Sequence, residues 1–241
     1  MTIRCEVWWA RPAVETPRLL GLLDDIERER HDAYRQTVDR ARFLTGRAVA
    51  KAALGTVLGV APGSVVLDSI CPDCGRTHGK PRVVAPGFAG PLPEMSISHS
   101  GNLVGVALTA GQPVGIDVEQ ERDVEVDGLV RMTLSAAEQT AWAAVPEPER
   151  DAAFFTYWSR KEAILKATGR GLAIAMTKVT VSPWDAAPRV VDSQASEVDA
   201  SRMRLAQLDA GSGYRACVAV IGDSELDVTV HDADPVVAGL S

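Results

Sequence analysis

The sequence has few cysteines, few aromatic residues and no excess of basic charge. It contains 4 cysteines in 241 residues, and aromatic residues make up 5%. So few thiols cannot form enough disulfide bonds to stabilise a chain of this length, which excludes a disulfide-rich secreted scaffold. The net charge of −7 argues against general binding to nucleic acid, because a phosphate backbone selects a basic surface.

Long hydrophobic runs are also missing. No apolar run approaches the roughly 18 residues of a membrane-spanning helix, and the first residues, M-T-I-R-C-E-V, do not resemble the core of a signal peptide. We therefore expect no membrane association and a cytoplasmic location. With 46% hydrophobic and 24% charged residues, the composition is typical of a soluble globular chain with one large domain or two small ones.

A mixture of helical and extended patterns predicts an α+β fold. Helices are predicted at residues 19–30, 38–58, 136–145 and 151–168, the third opened by a capping box at Ser135. Strands are predicted at residues 3–9, 64–70, 95–100, 103–110, 114–119, 178–181, 203–208, 214–221 and 227–230.

The helix predicted at 151–168 carries an unusual column of side chains. Trp158, Glu162 and Lys166 are spaced four apart, so they share one face, and Gly169 suits a left-handed C-terminal cap. A surface ion pair beside a core tryptophan also explains this column, and its contribution to stability would be small.

Two carboxylates share one face of the strand predicted at 114–119. Alternation places Gly115, Asp117 and Glu119 on one side and apolar residues on the other. Such carboxylates repel each other unless a cation lies between them, or unless this end of the strand is solvated. The two apolar runs that precede the strand favour at least partial burial.

The segment C-P-D-C-G-R-T-H-G-K-P at residues 71–81 permits two interpretations. Cys71, Cys74 and His78 resemble zinc ligands, but a structural zinc site takes four ligands and a second pair is missing. A tight turn with reduced thiols is the favoured interpretation. Lys80, next to Pro81, is then a cation on a stiff turn.

The two long helices resemble each other. R-A-V-A-K-A-A-L-G begins at Arg47 and E-A-I-L-K-A-T-G at Glu162, an offset of 162 − 47 = 115. Strands recur at the same offset, so we predict two similar α+β halves, residues 1–111 and 112–241.

Four ordered motifs resemble those of Sfp-type 4′-phosphopantetheinyl transferases. They are G-K-P at 79–81, S-I-S-H-S-G at 96–101, G-I-D-V-E at 115–119 and W-S-R-K-E-A-I-L-K-A-T-G-R-G-L at 158–172. The resemblance spans roughly residues 38–172, and C-P-x-C-G-x-x-H-G-K-P looks like the actinobacterial secondary-metabolism branch. It implies a pseudo-two-fold α+β fold, usually a monomer. The implied reaction moves the phosphopantetheine arm of coenzyme A to a serine of an acyl or peptidyl carrier protein and releases adenosine 3′,5′-bisphosphate.

The resemblance also implies roles for the second half of the chain. A diphosphate substrate suits a hard cation, Mg²⁺ or Mn²⁺, held by oxygen ligands, here Asp117, Glu119 and Glu162. The implied catalytic residues are Glu162, as a base acting directly or through water, and Lys166. Asp117 and Lys166 are also expected to contact the coenzyme, and Trp158 to orient the helix.

The first half of the chain is implied to bind the adenosine phosphates. The expected contacts are Arg42, Arg47, Lys80, Pro81, Ser98 and His99. One departure is Phe43, which occupies a position where relatives carry a small hydroxyl residue that touches the 3′-phosphate.

Two other classes of protein remain open. A metal-dependent phosphohydrolase also uses three carboxylates, and a coenzyme A-binding or carrier-docking module could keep the fold with a decayed site. The presence of all three carboxylates and Lys166 argues against decay. A product assay separates the two enzymes, because only the transferase adds mass to a carrier protein.

Overall fold

The computed structural model of the chain describes residues 2–71, 74–77, 79–122 and 126–240. The α-helices in these ranges are α1 (Pro17–Leu20), α2 (Asp25–Ala33), α3 (Thr37–Leu58), α4 (Val126–Thr133), α5 (Ala136–Ala143), α6 (Arg150–Thr168) and α7 (Asp234–Leu240). The strands are β1 (Thr2–Ala10), β2 (Val66–Asp68), β3 (Arg82–Val84), β4 (Glu94–Ser100), β5 (Leu103–Thr109), β6 (Val114–Gln120), β7 (Val179–Val181), β8 (Val190–Ser193), β9 (Met203–Leu208), β10 (Tyr214–Ile221) and β11 (Glu225–Asp232). The predicted α+β class is confirmed. No helix in the described ranges is long and apolar enough to cross a membrane.

The chain divides into two compact units. The N-terminal unit contains Arg4–Gly111 together with the segment from Val228 onward, and the C-terminal unit contains Gln112–Asp227 together with the residues up to Ile3. Most of β11 and all of α7 therefore cluster with the N-terminal residues, which a single division after residue 111 does not describe.

The N-terminal unit packs one long helix on a four-stranded sheet. Its strand order is β11-β1-β5-β4, with β5 antiparallel to both of its neighbours. Helix α3 packs on β4 and β5, and its apolar residues Leu44, Ala48 and Leu54 are completely buried. The helix ends at Gly59, whose φ of 68° is the left-handed conformation of a C-terminal cap.

The C-terminal unit also packs a long helix on an antiparallel sheet. The strand order is β6-β10-β9, and α6 lies against β6 and β10. Phe154, Ile164 and Leu165 of α6 belong to the buried core. The helix stops, as predicted, at Gly169, where φ is 73°.

One predicted helix is two separate helices in the structure, so that prediction was wrong. Residues 19–30 do not form a single helix, because α1 ends at Leu20 and α2 begins at Asp25. Asp24 lies between them as the N-cap of α2, with a capping box completed by Glu27. A capping aspartate takes an extended conformation, which interrupts the helical path. The prediction also missed α4, α7, β3 and β8.

Gly115 explains how α6 comes so close to β6. A Cβ atom added at Gly115 would lie 2.0 Å from the carbonyl oxygen of Ala163 and 2.4 Å from the backbone nitrogen of Ala167. Both contacts are with helix backbone, which cannot move aside like a flexible side chain. The strand and the helix therefore touch at a position that only glycine can occupy.

We expect Gly115→Ala to destabilise the protein by about 3 kcal/mol, because the methyl group forces α6 away from β6. Gly128→Ala on α4 is the matched control, since an added Cβ there meets no heavy atom within 4 Å. That control should gain about 0.5–1 kcal/mol, as expected for glycine replaced in a helix. Urea denaturation of the two variants gives the comparison, and equal stabilities would contradict the close packing.

Candidate active site

Helix α6 is buried except along one stripe. Between residues 153 and 167, all of which are described, Trp158, Glu162 and Lys166 are the three residues that are not buried. The prediction that these residues share a face is confirmed. An ordinary surface helix exposes a whole side, so this single open stripe does not match a solvated ion pair on an outer face.

Strand β6 presents its acidic residues to this helix. Asp117 is 3% exposed and shares the strand face of Gly115, the residue in contact with α6. The ammonium group of Lys166 donates to Asp117 Oδ1 at 2.6 Å and to the carbonyl oxygen of Ile116 at 3.2 Å. The structure therefore joins two of the predicted site residues, one from the strand and one from the helix.

Glu162 is electrostatically linked to the same group. Burial raises the pKa of Glu162; the positive charge of Lys166 opposes this, while the negative charges of Asp117 and Glu119 add to it. Lys166, Asp117 and Glu119 thus all act on Glu162 where β6 meets α6. The sequence predicts these residues on two separate elements, a strand and a helix. In the structure the two elements are adjacent, so the charges of these residues interact.

The donor chemistry of this group suits a hard divalent cation. Its ligands would be carboxylate oxygens, and a bound cation would relieve the repulsion that Asp117 and Glu119 exert on Glu162. Among the residues that the structure describes, no group of three or more histidine, cysteine, aspartate or glutamate side chains is arranged to hold a metal ion. Asp117 is instead paired with Lys166.

In the N-terminal unit, Arg42 is tied to the loop that follows the S-I-S-H-S segment. Its guanidinium donates to the carbonyl oxygen of Gly101 at 2.9 Å and to Asp39 at 2.9 Å. On β4, just before this loop, Ser98 is buried and His99 is exposed. Arg42 and the two predicted phosphate contacts therefore come from adjoining parts of the unit.

Lys80 lies beside the other end of β4. Its ammonium group is 3.4 Å from a carboxylate oxygen of Glu94, the first residue of that strand. Burial lowers the pKa of Lys80, and Glu94 opposes that shift. The neighbouring Pro81 is half-buried.

Arg47 is buried, with 3% of its surface exposed. Its Nε lies 3.2 Å from Glu27 Oε1, and its guanidinium carbon is 5.0 Å from the ring centroid of Phe43. Burial lowers the pKa of Arg47, and the charge of Glu27 opposes this. Phe43 packs against Tyr34, with ring centroids 5.6 Å apart. The predicted phosphate contact of Arg47 stays a prediction.

Backbone hydrogen bonds hold Cys71 close to Gly75 and Arg76. The backbone nitrogen of Gly75 donates to the carbonyl oxygen of Cys71 at 2.9 Å, and that of Cys71 donates to Arg76 at 2.8 Å. Cys71 and Cys74 are not joined by a disulfide. His78, the third residue of the alternative zinc interpretation, lies outside the described residues.

Sequence reasoning missed two cations on α6. Arg160 is 2% exposed and Lys161 is completely buried. The guanidinium of Arg160 donates to the backbone carbonyls of Ser182, Pro183, Trp184 and Ala186. It also donates to two side-chain oxygens, those of Ser182 and Gln207. A run of R-K-E is typical of a solvated helix face, so no pattern in the sequence indicates that these cations point inward.

Comparison with known proteins identifies the family. The ACPS family model, described as the 4′-phosphopantetheinyl transferase superfamily, matches residues 113–219, which include β6 and α6. The chain is 31% identical over 185 residues to 4′-phosphopantetheinyl transferase HetI of Nostoc sp., covering 74% of this chain and 75% of that protein. It is 27% identical over 179 residues to a 4′-phosphopantetheinyl transferase of Bacillus subtilis, covering 73% and 74%. It is 24% identical over 167 residues to 4′-phosphopantetheinyl transferase Sfp of Bacillus subtilis strain 168, covering 69% of each.

These similarities agree with the four sequence motifs. The predicted enzyme class, a 4′-phosphopantetheinyl transferase, is confirmed. The chain belongs to the 4′-phosphopantetheinyl transferase superfamily.

Proposed function

We propose that this protein transfers the 4′-phosphopantetheine arm of coenzyme A to a serine hydroxyl of acyl and peptidyl carrier proteins and releases adenosine 3′,5′-bisphosphate. The observation that carries the proposal is the open stripe of α6. Together with Trp158, Glu162 and Lys166 are the part-exposed residues between 153 and 167 of α6, and both act on Asp117 of β6. The names of the similar proteins support the same transfer.

Glu162 is the proposed base. A serine hydroxyl must lose its proton to attack a phosphorus atom, and a carboxylate accepts that proton most effectively when its pKa lies closer to neutrality than usual. Burial and the neighbouring carboxylates raise the pKa of Glu162 in that direction. The proton passes to this carboxylate directly or through one water.

Lys166 is the proposed electrostatic stabiliser. Its ammonium group is held by Asp117 and by the carbonyl oxygen of Ile116, so its direction is fixed before the reaction. Positive charge fixed in advance stabilises negative charge that grows on the transferred phosphate and on the leaving group.

Asp117, Glu119 and Glu162 are the proposed ligands of Mg²⁺, with Mn²⁺ as a substitute. When bound, the cation would neutralise the diphosphate of coenzyme A and polarise its phosphorus–oxygen bonds. The oxygen-only donor set and the repulsion among the three carboxylates support this assignment.

The N-terminal unit is proposed to bind the adenosine phosphates. The proposed contacts share a cationic, hydrogen-bonding or turn-forming character, and they are Arg42, Arg47, Lys80, Pro81, Ser98 and His99. The link from Arg42 to the loop after His99 supports a common binding surface. We also propose the actinobacterial secondary-metabolism branch, a monomer and a cytoplasmic location, each on the sequence evidence alone.

The direct test is the intact mass of a panel of apo carrier domains after incubation with the protein, coenzyme A and Mg²⁺. We expect each accepted carrier to gain one phosphopantetheinyl group. Asp117→Ala should lower the rate at least about 100-fold, the scale on which preorganised charged groups act. Asp223→Ala is the matched control, because Asp223 is an exposed aspartate of the same unit paired with Arg202. Phosphate release without any gain in carrier mass would indicate a phosphohydrolase instead.

The adenosine end is tested with coenzyme A and dephospho-coenzyme A, which lacks the 3′-phosphate. His99→Ala and Lys80→Ala should raise the KM for coenzyme A more than they lower kcat, because they bind phosphates outside the reacting centre. The increase in KM caused by each substitution should be smaller with dephospho-coenzyme A. An equal increase in KM with both substrates would place these residues elsewhere in the site.

Glu162 and Lys166 should respond differently to Mg²⁺. We expect excess Mg²⁺ to restore Glu162→Gln only in part, because filling the metal site cannot replace the base. Lys166→Ala should lower kcat, because the activation barrier rises by about 2–4 kcal/mol, with little change in Mg²⁺ affinity. The measurement is kcat against Mg²⁺ concentration for both variants, with thermal melts as a control for folding. Full recovery of kcat in Glu162→Gln at high Mg²⁺ would show that Glu162 acts only as a metal ligand and not as the base.

A further inference from the structure

The ammonium group of Lys161 is enclosed by protein on all sides. The side chain is completely buried, and its Nζ lies near four oxygen atoms. These are the carbonyl oxygens of Thr133 at 2.9 Å, Met176 at 3.0 Å and Val179 at 2.6 Å, and Glu138 Oε2 at 2.5 Å. An ammonium group has three hydrogens to donate, so this set uses all of them.

Glu138 is equally well satisfied. Its Oε2 also accepts from the backbone nitrogen of Ser135 at 2.7 Å, and its Oε1 accepts from the backbone nitrogen of Val181 at 2.7 Å. The carboxylate thus completes the capping box of α5, holds β7 and receives the charge of Lys161. One carboxylate joins α5, β7 and α6.

The oxygens around Lys161 come from successive parts of the C-terminal unit. Thr133 is the last residue of α4, Met176 begins a short 3₁₀ turn, and Val179 is the first residue of β7. The preceding residue of α6, Arg160, binds the carbonyls of residues 182–186 in the same unit. Two consecutive side chains of α6 are therefore anchored, which fixes the rotation of the helix about its axis.

Stability alone is a poor explanation for this pair. The desolvation of two buried charges offsets most of their attraction, and well-packed apolar residues often replace such pairs at no loss. What an apolar pair cannot reproduce is a fixed direction, because dispersion contacts tolerate small rotations that hydrogen bonds to four oxygens do not. The pair therefore controls geometry more than it controls the free energy of unfolding.

Glu162 is the next residue along the helix. Side chains of successive helical residues differ in direction by about 100°, so when Lys161 points into the core Glu162 points to the open stripe. With a helix radius of about 5–6 Å including side chains, a rotation of about 10° displaces the carboxylate by about 1 Å. A displacement of that size can cost about 100-fold in rate.

We propose that Glu138 is a positioning residue that, through Lys161, fixes the rotation of α6 and so aims Glu162 at the reacting hydroxyl. This inference rests on the proposed function of Glu162. Glu138 itself touches no reacting group, so its effect should fall on kcat and leave the binding of coenzyme A unchanged.

The test compares Glu138→Gln, Glu138→Asp and a control, Ser135→Ala. The glutamine keeps the shape and removes the charge, and the shorter aspartate keeps the charge. Ser135→Ala removes the hydroxyl that accepts from the backbone nitrogen of Glu138 at 3.4 Å, so it weakens the same helix cap and leaves the carboxylate. Each variant is assayed below its melting temperature for kcat and for the KM of coenzyme A. Hydrogen exchange is then measured on peptides from α5 and from residues 158–168.

We expect kcat to fall about 10- to 100-fold in Glu138→Gln and less in Glu138→Asp, with the KM of coenzyme A within about twofold. Exchange in residues 158–168 should rise in both variants, and Ser135→Ala should change exchange in α5 only. Unchanged kcat and unchanged exchange in residues 158–168 would overturn the proposal, and so would an equal loss of kcat in Ser135→Ala. If Glu138→Gln does not fold, Glu138→Asp decides by the same criteria. If the wild-type protein modifies no carrier, the proposed function fails, and exchange in residues 158–168 alone decides the positioning role.

Discussion

The candidate site depends on the contact between the backbones of β6 and α6 at Gly115. No side chain separates the two elements there, since even a Cβ atom would lie 2.0 Å from a helix carbonyl. This approach lets Lys166 reach both Asp117 and the carbonyl oxygen of Ile116. It also places Glu162 in the field of the strand carboxylates. The electrostatics of the site therefore follow from a packing constraint in the core, and the site is as rigid as that packing.

Burying α6 requires partners for its charges. The helix carries Arg160, Lys161, Glu162 and Lys166 within seven positions, and the first two point into the core. Their hydrogen bonds go largely to backbone carbonyls of neighbouring segments, which satisfies the cations and those carbonyls together. Because the inward cations have hydrogen-bond partners in the core, Glu162 and Lys166 remain as the charges at the opening. A helix that must be buried on nearly every side can thus still present a base and a cation on one stripe.

The sequence was sufficient to predict the helix and the strand that carry the site. It was insufficient to predict the contacts that hold these two elements in place. Periodicity located α6 and β6, and a left-handed glycine marked the end of the helix at Gly169. The short elements α4 and β8 were missed because so few residues give a weak periodic signal. The inward direction of Arg160 and Lys161 could not be predicted, since their main partners are backbone carbonyls and these leave no pattern in the sequence. The role of Gly115 likewise depends on a distance between elements that only tertiary packing sets.

The two long helices show how one local pattern serves two purposes. In each unit the lysine of the repeated motif binds one carbonyl oxygen and one carboxylate: Lys51 binds Leu22 and Glu27, and Lys166 binds Ile116 and Asp117. The side chain of Lys51 is 1% exposed, because Glu27 of α2 covers it, whereas that of Lys166 is 27% exposed. The same geometry is therefore a closed structural pair in the N-terminal unit and an open one in the C-terminal unit. Only an open lysine can meet a substrate, so the covering helix, rather than the motif, separates a structural pair from a candidate active site.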